Sequence, residues 1–369
     1  MRSIRFGTAT LLLVGLGLAG VMPASAKAQR NLPPAAVHDI DAIFAAYNRT
    51  VVPGASVIVI KNGTVVASRA YGMADLEAHV PATERTNYRL ASVTKQFTAT
   101  AILLLVKDGK LHLDDRVADL LPGLPTHGQP ITVRHLLTHT AGLWAYEDFV
   151  PDTQKVQVKD REIPALLRRA DSSYFAPGSA YRYSNTGYVL LALIVEAVSH
   201  QPFASFLHDR IFAPLHMDST VAYEAGVSAI PQRAFGYSKT ASGIRRADQS
   251  STSATLGDGG IYTSTHDLVA WNRALDEHTL LGADLQQQAW TPYTLSKGAV
   301  SHYGFGWNTE RGARGLHVWH TGETRGFTNA VVKYPDEGLT VIVLTNRIGG
   351  EPLSLAEKVA AMPALVAWR

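Results

Sequence analysis

The sequence predicts an α+β fold: a mostly antiparallel sheet built from both ends of the chain, flanked by helices, with a largely helical region inserted between them. Three observations carry this. Runs rich in β-branched residues lie towards the two ends, short turn sequences join several of them, and apolar residues in the middle recur at helical spacing. Composition permits it, since 46% of the 369 residues are hydrophobic and 18% are charged, which supplies a core and excludes a disordered chain.

The first segment stands apart. Arg2 and Arg5 precede an apolar run from about Ala9 to Met22, and Pro23 is followed by Ala24-Ser25-Ala26. A basic start, a short greasy stretch and an A-x-A site predict a secretory signal peptide over residues 1–26, cut before Lys27, with Ala26-Lys27-Ala28 as a second site. The run falls short of the roughly 20 apolar residues a spanning helix needs and contains Gly15, Gly17 and Gly20. The mature chain is therefore expected to be exported, periplasmic or secreted, with no stable membrane span.

Beyond it, Ile40, Ile43, Phe44 and Tyr47 predict an amphipathic helix over His38–Asn48. Gly54–Ile60 and Thr64–Ala70 are β-rich and separated by Lys61-Asn62-Gly63, a hairpin signal. Ser92–Lys107 reads as a long buried helix stopped by Asp108-Gly109. Helices are also predicted over Arg161–Ala170, Thr186–Ser199 and Phe203–Phe212, the second apolar nearly all round. Strands return at Leu316–His320, Phe327–Tyr334 and Leu339–Thr345. The chain thus divides into a sheet region (27–80 and 261–369) and a largely helical region (81–260), together one catalytic domain with its active site at the seam. Loops at Leu121–Pro130 and Thr255–Gly260 are the expected seams.

Several chemistries are excluded. There is no cysteine, so disulfide scaffolds, thiolate metal sites and cysteine nucleophiles are out. No G-x-S-x-G, H-E-x-x-H or Walker loop occurs. Without the signal segment, 32 basic residues face 31 acidic ones, which gives no surplus to attract nucleic acid. His135 and His139 sit four apart but flank Leu136-Leu137 with no acidic companion, and read as structural histidines.

Ser92-Val93-Thr94-Lys95 is the informative element. On a helix, positions i and i+3 share a face, so Lys95 lies one turn beneath Ser92. A serine hydroxyl needs a base to become a nucleophile, and a lysine buried at a helix start can serve because desolvation lowers its pKa. The helix start also offers backbone N–H groups to a developing oxyanion. A lone S-x-x-K arises readily by chance, but two further elements accompany it. Tyr183-Ser184-Asn185 precedes the second buried helix; if extended, its phenol and amide would line one wall of a cleft. His320-Thr321-Gly322 ends the strand from Leu316 and supplies donors plus a glycine that lets a substrate approach the backbone.

Together Ser92-x-x-Lys95, Tyr183-x-Asn185 and His320-Thr321-Gly322 resemble the three signatures of the penicillin-recognising serine hydrolases, in the branch that holds class C β-lactamases, D-Ala-D-Ala carboxypeptidases and related esterases. The stretches Ile131–Gly142, Gly259–Ser264 and Tyr303–Trp307 are similar to that branch too. The resemblance implies a β-lactamase/transpeptidase-like fold and a covalent acyl-enzyme on Ser92, with Lys95 and Tyr183 sharing proton traffic and no metal or cofactor. It implies that Asn185 binds the substrate's amide or ester side chain. His320 and Thr321 would face a substrate carboxylate or orient Tyr183, and the N–H groups of Ser92 and Glu323 would form the oxyanion hole beside Gly322.

Class C enzymes usually carry lysine where this chain has His320, so attraction for a carboxylate should be weaker. Arg325 is either a replacement charge or a solvated loop residue. Trp144 is a candidate wall of the cleft; Tyr146 is assigned to the pocket and Trp307 to the core. The expected partner is a small molecule or peptide: a D-Ala-D-Ala peptide, a β-lactam or an ester. A carboxylesterase, and a non-catalytic penicillin- or cell-wall-sensing domain, are the competing readings.

Overall fold

The computed structural model describes residues 31–125, 127, 130–151 and 153–368. The signal segment, and part of the loop expected at Leu121–Pro130, lie outside the described residues. Nine strands position the site. They are β1 (Ala55–Lys61), β2 (Thr64–Tyr71), β3 (Tyr88–Arg89), β4 (Val221–Ala222), β5 (Ile261–Thr263), β6 (Asn308–Gly312), β7 (Gly315–Thr324), β8 (Phe327–Tyr334) and β9 (Leu339–Thr345). The helices that matter are α1 (Pro34–Ile43), α2 (Lys95–Lys107), α3 (Val133–Leu137), α4 (Asn185–Ser199), α5 (Phe203–Leu207), α6 (Thr265–Asp276) and α7 (Pro352–Ala360).

The main sheet is antiparallel in the order β6-β7-β8-β9-β1-β2. Its two chain ends meet where Ile58 of β1 pairs with Ile342 of β9. Strands β1, β8 and β9 are buried along their whole length, because both faces are covered. Val57, Val59 and Val341 pack with Ile40 of α1 and Val359 of α7. Their neighbours Ile58, Ile342 and Leu344 turn the other way, into a core shared with Phe97 of α2 and Leu190 of α4. This two-sided burial explains the unbroken apolar runs.

Helices α2 and α4 are buried on nearly every side, as their composition predicts. No single helix among the described residues is long and apolar enough to cross a membrane.

Several boundaries differ from the sequence reading. Helix α1 starts at Pro34, where proline suits the first turn, and ends at Ile43; Phe44 and Tyr47 stay buried on the turn that follows. The expected helix at Arg161–Ala170 shrinks to Ile163–Leu167, and that at Phe203–Phe212 changes to a wider turn after Leu207. Strand β6 was not expected: Asn-Thr-Glu-Arg-Gly lacks an apolar pattern because it is the polar edge of the sheet. In the short sheet β3-β5-β4, β3 falls within Asn87–Leu90, which the sequence reads as a β-like stretch, while β4 and β5 were not expected; only two or three residues of each strand pair. Strand β7 runs four residues beyond His320, and that extension builds the site.

Candidate active site

Strand β3 delivers the chain to Leu90 and Ala91, and Ser92 follows on a single tight turn (Ala91–Thr94) ahead of α2. The long helix expected from Ser92 therefore begins at Lys95. In the tighter turn residues three apart eclipse one another, which brings the lysine directly under the serine. Ala91 holds φ at +51°, a left-handed conformation unusual for a residue with a Cβ.

Strand β7 presses on this turn. Strand β6 accompanies β7 only as far as Trp319, so the edge from His320 to Thr324 has no strand beside it and lies along Leu90 and Ala91. A Cβ on Gly322 would come within 2.0 Å of the Leu90 carbonyl oxygen. Gly322 is thus required for the chain's own backbone approach, in place of the substrate approach expected from sequence. Glu323 is exposed and lines the same cleft as Ser92.

Lys95 is fully buried. Its Nζ reaches Ser92 Oγ at 3.0 Å, Asn185 Oδ1 at 2.8 Å and the Asp258 carbonyl at 2.9 Å. All three partners are uncharged groups. Burial pulls the ammonium down to about 8, with the Asp258 and Glu147 carboxylates pulling it back up. A neutral amine can keep its two N–H donors on Asn185 and Asp258 and present its lone pair to the Ser92 hydroxyl. That is the geometry of a general base.

Tyr183 stands over this pair, its ring centre 4.9 Å from Nζ, and the residue is 40% exposed. Its phenol is pushed up, chiefly by desolvation, while the Ser92 hydroxyl works in the opposite sense. Asn185 does not share an extended segment with Tyr183: Ser184 caps α4, its side chain accepting from Gly187 N–H, and Asn185 is the first helical residue.

His320 is buried and both its ring nitrogens are engaged. Nδ1 lies 2.6 Å from the Thr321 carbonyl and so donates; Nε2 accepts from the Tyr303 hydroxyl at 2.8 Å. Burial, reinforced by Lys95, pushes its pKa down to about 3. His320 therefore has no free ring nitrogen for a substrate carboxylate, which corrects that expectation. Its ring lies 6.1 Å from that of Tyr183, consistent with the orienting task instead. Thr321 is half-buried beside it. Arg325 sits exposed at the turn between β7 and β8.

Sequence reasoning missed the acidic side of the site. Glu147 Oε1 accepts from Asn185 Nδ2 at 2.6 Å, its other oxygen is buried without a partner, and burial raises its pKa. Asp258 lends its carbonyl to Lys95, while its side chain accepts from the Tyr146 hydroxyl at 3.3 Å. Asp160 receives the N–H groups of Leu256 and Gly257 at 2.7 and 3.0 Å, fixing the loop that carries Asp258; burial raises it to about 7. Tyr146 is buried yet borders the cleft, Trp307 lies in the core against Trp290, and Trp144 packs on Tyr174. The resulting cleft of about 130 Å³ is lined by Arg89, Ser92, Glu147, Asn185, Asp258 and Glu323, among others.

Comparison with known proteins decides the affiliation. Residues 40–362 match the β-lactamase family. The chain belongs to the β-lactamase family. It is a serine hydrolase with the β-lactamase/transpeptidase-like fold. Within the family it is 32% identical over 309 residues to penicillin-binding protein 4* of Bacillus subtilis (strain 168), covering 79% of this chain and 68% of that protein. It is 30% identical to a D-aminopeptidase of Gluconobacter oxydans (strain 621H), covering 84% of this chain and 58% of that one, so it spans under two thirds of that relative. Among solved structures it is similar to the octameric penicillin-binding protein homologue from Pyrococcus abyssi, with a TM-score of 0.74 and 29% identity, covering 90% of this chain and 77% of that one.

Proposed function

We propose that this β-lactamase-family chain hydrolyses an amide bond in a small substrate carrying a D-amino acid, through a covalent ester on Ser92. The observation that carries the reading is Ser92 Oγ at 3.0 Å from a buried lysine whose other two partners are uncharged. Neutral Lys95 takes the hydroxyl proton as Ser92 Oγ bonds to the carbonyl carbon. The oxyanion is received by the N–H groups of Ser92 and Glu323. The C–N bond then breaks as Tyr183 hands a proton to the leaving nitrogen. Water attacks the ester and gives a proton to the Tyr183 phenolate, and the acid leaves as Lys95 returns to Ser92 Oγ the proton it had taken.

The lining favours a substrate that presents a free amino group. Glu147 and Glu323 border the cleft, Asp258 lies beneath it, and His320 brings no positive charge. The likeness to a D-aminopeptidase supports the same side. One observation favours a D-Ala-D-Ala carboxypeptidase or β-lactam reading instead: Arg89 borders the cleft and its Nη1 is buried without a partner. The likeness to a penicillin-binding protein belongs with it.

A panel of D-alanine p-nitroanilide, its N-acetyl form, a D-Ala-D-Ala tripeptide, a chromogenic cephalosporin and p-nitrophenyl acetate separates these. We expect kcat/KM for the free amine to exceed the N-acetyl form by at least about tenfold. Preference for the N-acetyl form or the tripeptide would turn the reading to the carboxypeptidase. Turnover of the acetate alone would turn it to a carboxylesterase, and stoichiometric acylation without turnover to a sensing domain. The same proposal places the mature chain outside the cytoplasm, with residues 1–26 removed; an N-terminus other than about Lys27 in protein recovered from an exporting host would argue against it.

A further inference from the structure

The segment Thr138–Gly142, at the end of α3, takes no part in the chemistry above, yet it carries the loop that holds Tyr183. Four hydrogen bonds join the two. Tyr174 N–H donates to the Gly142 carbonyl at 2.8 Å and Gly178 N–H to the Thr140 carbonyl at 2.8 Å. Arg182 N–H donates to the His139 carbonyl at 3.0 Å, and Ser184 N–H to His139 Nδ1 at 3.1 Å. The last two bracket Tyr183: the residues on either side of it are tied to one histidine. Gly142 stands at φ +73°, and a Cβ there would lie 2.0 Å from the Phe175 carbonyl oxygen, so the two strips of backbone touch.

The His139 ring completes the clamp. It is buried and packs on the Tyr183 ring at 4.3 Å between centres, with Tyr303 at 4.5 Å and Tyr188 at 5.1 Å behind it. Accepting at Nδ1 places its proton on Nε2, which is buried among these rings without a hydrogen-bond partner. This is the opposite tautomer to His320, whose Nδ1 donates. The backbone of His139 is left-handed, with φ at +58°.

We infer that His139 is a positioning residue for Tyr183: it fixes the phenol over Lys95 and Ser92 by holding both neighbouring peptides and one face of the ring. This rests on the reading of Ser92, Lys95 and Tyr183 as the catalytic set. It gives His139 a task in the reaction beyond the structural one read from the sequence.

Two substitutions separate the acceptor from the ring. His139→Asn keeps an acceptor near the Nδ1 position and tolerates the left-handed backbone, but leaves a void; His139→Phe fills the ring's place and loses the acceptor. On a substrate turned over by the wild type, we expect His139→Phe to lower kcat by about 30-fold or more with KM within about threefold, since small displacements of a reacting group cost rates of this order. His139→Asn recovers most of kcat while having the lower Tm, so activity and stability rank in opposite order. In a Tyr183→Phe background the His139→Phe loss shrinks to within about threefold, because the group it positions is gone. Activity that follows Tm across the variants, or full additivity with Tyr183→Phe, overturns the inference.

Should His139→Phe fail to fold, ¹⁵N NMR of histidine-labelled wild type decides. His139, assigned by its loss in His139→Asn, is expected as a neutral Nε2–H ring that does not titrate in the free-histidine range near pH 6.5, because burial holds its pKa well below that. An Nδ1–H tautomer, or titration in that range, overturns the inference. Turnover surviving in Ser92→Ala would instead mark failure of the catalytic reading, and the tautomer is read without turnover.

Discussion

Two lysines of this chain are equally sealed from water and are used in opposite ways. Lys95 lies under Ser92, and Lys333 lies in β8 where α6 crosses the sheet. Lys333 is ion-paired to Asp276 and also donates to Asn272 Oδ1 at 2.9 Å and Thr340 Oγ1 at 3.2 Å. Lys95 has the same number of hydrogen bonds but no carboxylate among them; Glu147 and Asp258 act on it only from a distance. Burial lowers both pKa values. At Lys333 a directly bonded carboxylate opposes that and keeps the charge, which ties a helix to the sheet. At Lys95 the ammonium is left easier to deprotonate, which readies a base beside an alcohol.

Exchanging either lysine for methionine tests that contrast most severely. Lys95→Met, like Ser92→Ala, should lower kcat by about 10³-fold or more, read as hydrolysis of a chromogenic amide or ester. Its Tm should hold or rise, because a buried charge with no counter-ion in contact is removed. Lys333→Met should do the reverse. We expect a loss of about 2 kcal/mol by urea unfolding, below the cost of breaking a fully buried pair because Asp276 is 34% exposed, with kcat within about threefold. Equal catalytic losses in both variants would dissolve the distinction.

The pH dependence sharpens it. With Lys95 titrating at about 8, kcat/KM should rise about tenfold per pH unit below that value and level off above it. The linked stability has a definite sign. The folded pKa lies below that of an exposed lysine, so the cost of burying this charge is full below pH 8 and fades as pH rises towards the unfolded value near 10.4. Lys95→Met should flatten that part of the stability curve. A smaller effect is expected from Glu147→Gln. It keeps an oxygen for Asn185 but removes a negative charge that holds Lys95 up, so the acid limb should fall by about half a pH unit. The preference for free-amine substrates should weaken alongside. An upward shift of the limb would contradict the stated electrostatics.

What the sequence made legible follows from how local each signal is. Ser92 and Lys95 are three residues apart on one turn, so their meeting can be read from spacing even though the turn is tighter than expected. The hairpin at Asn62-Gly63 and the paired runs after Phe327 are equally local. Glu147 was invisible, because its meeting with Asn185 depends on a loop folding back across 38 positions. The Asp258 contact had no signal at all, since a backbone carbonyl reaches Lys95. His320 was expected either to face a substrate carboxylate or to orient Tyr183, and the first task needs a free ring nitrogen that it lacks. Tyr303, in a segment already singled out, is what seals it, and only the packed structure brings the two rings together. Strand β7 was ended too early because His-Thr-Gly-Glu-Thr is polar, yet its pairing with β8 and contact with Leu90 keep it extended.

The most direct test of a Ser92 nucleophile served by Lys95 is intact-mass spectrometry with peptide mapping after an acid quench of a slowly turned-over substrate. One acyl group on Ser92 in the wild type, absent from Ser92→Ala and strongly reduced in Lys95→Met, is the predicted result. An adduct on another residue, or the same adduct persisting in Ser92→Ala, would contradict the account.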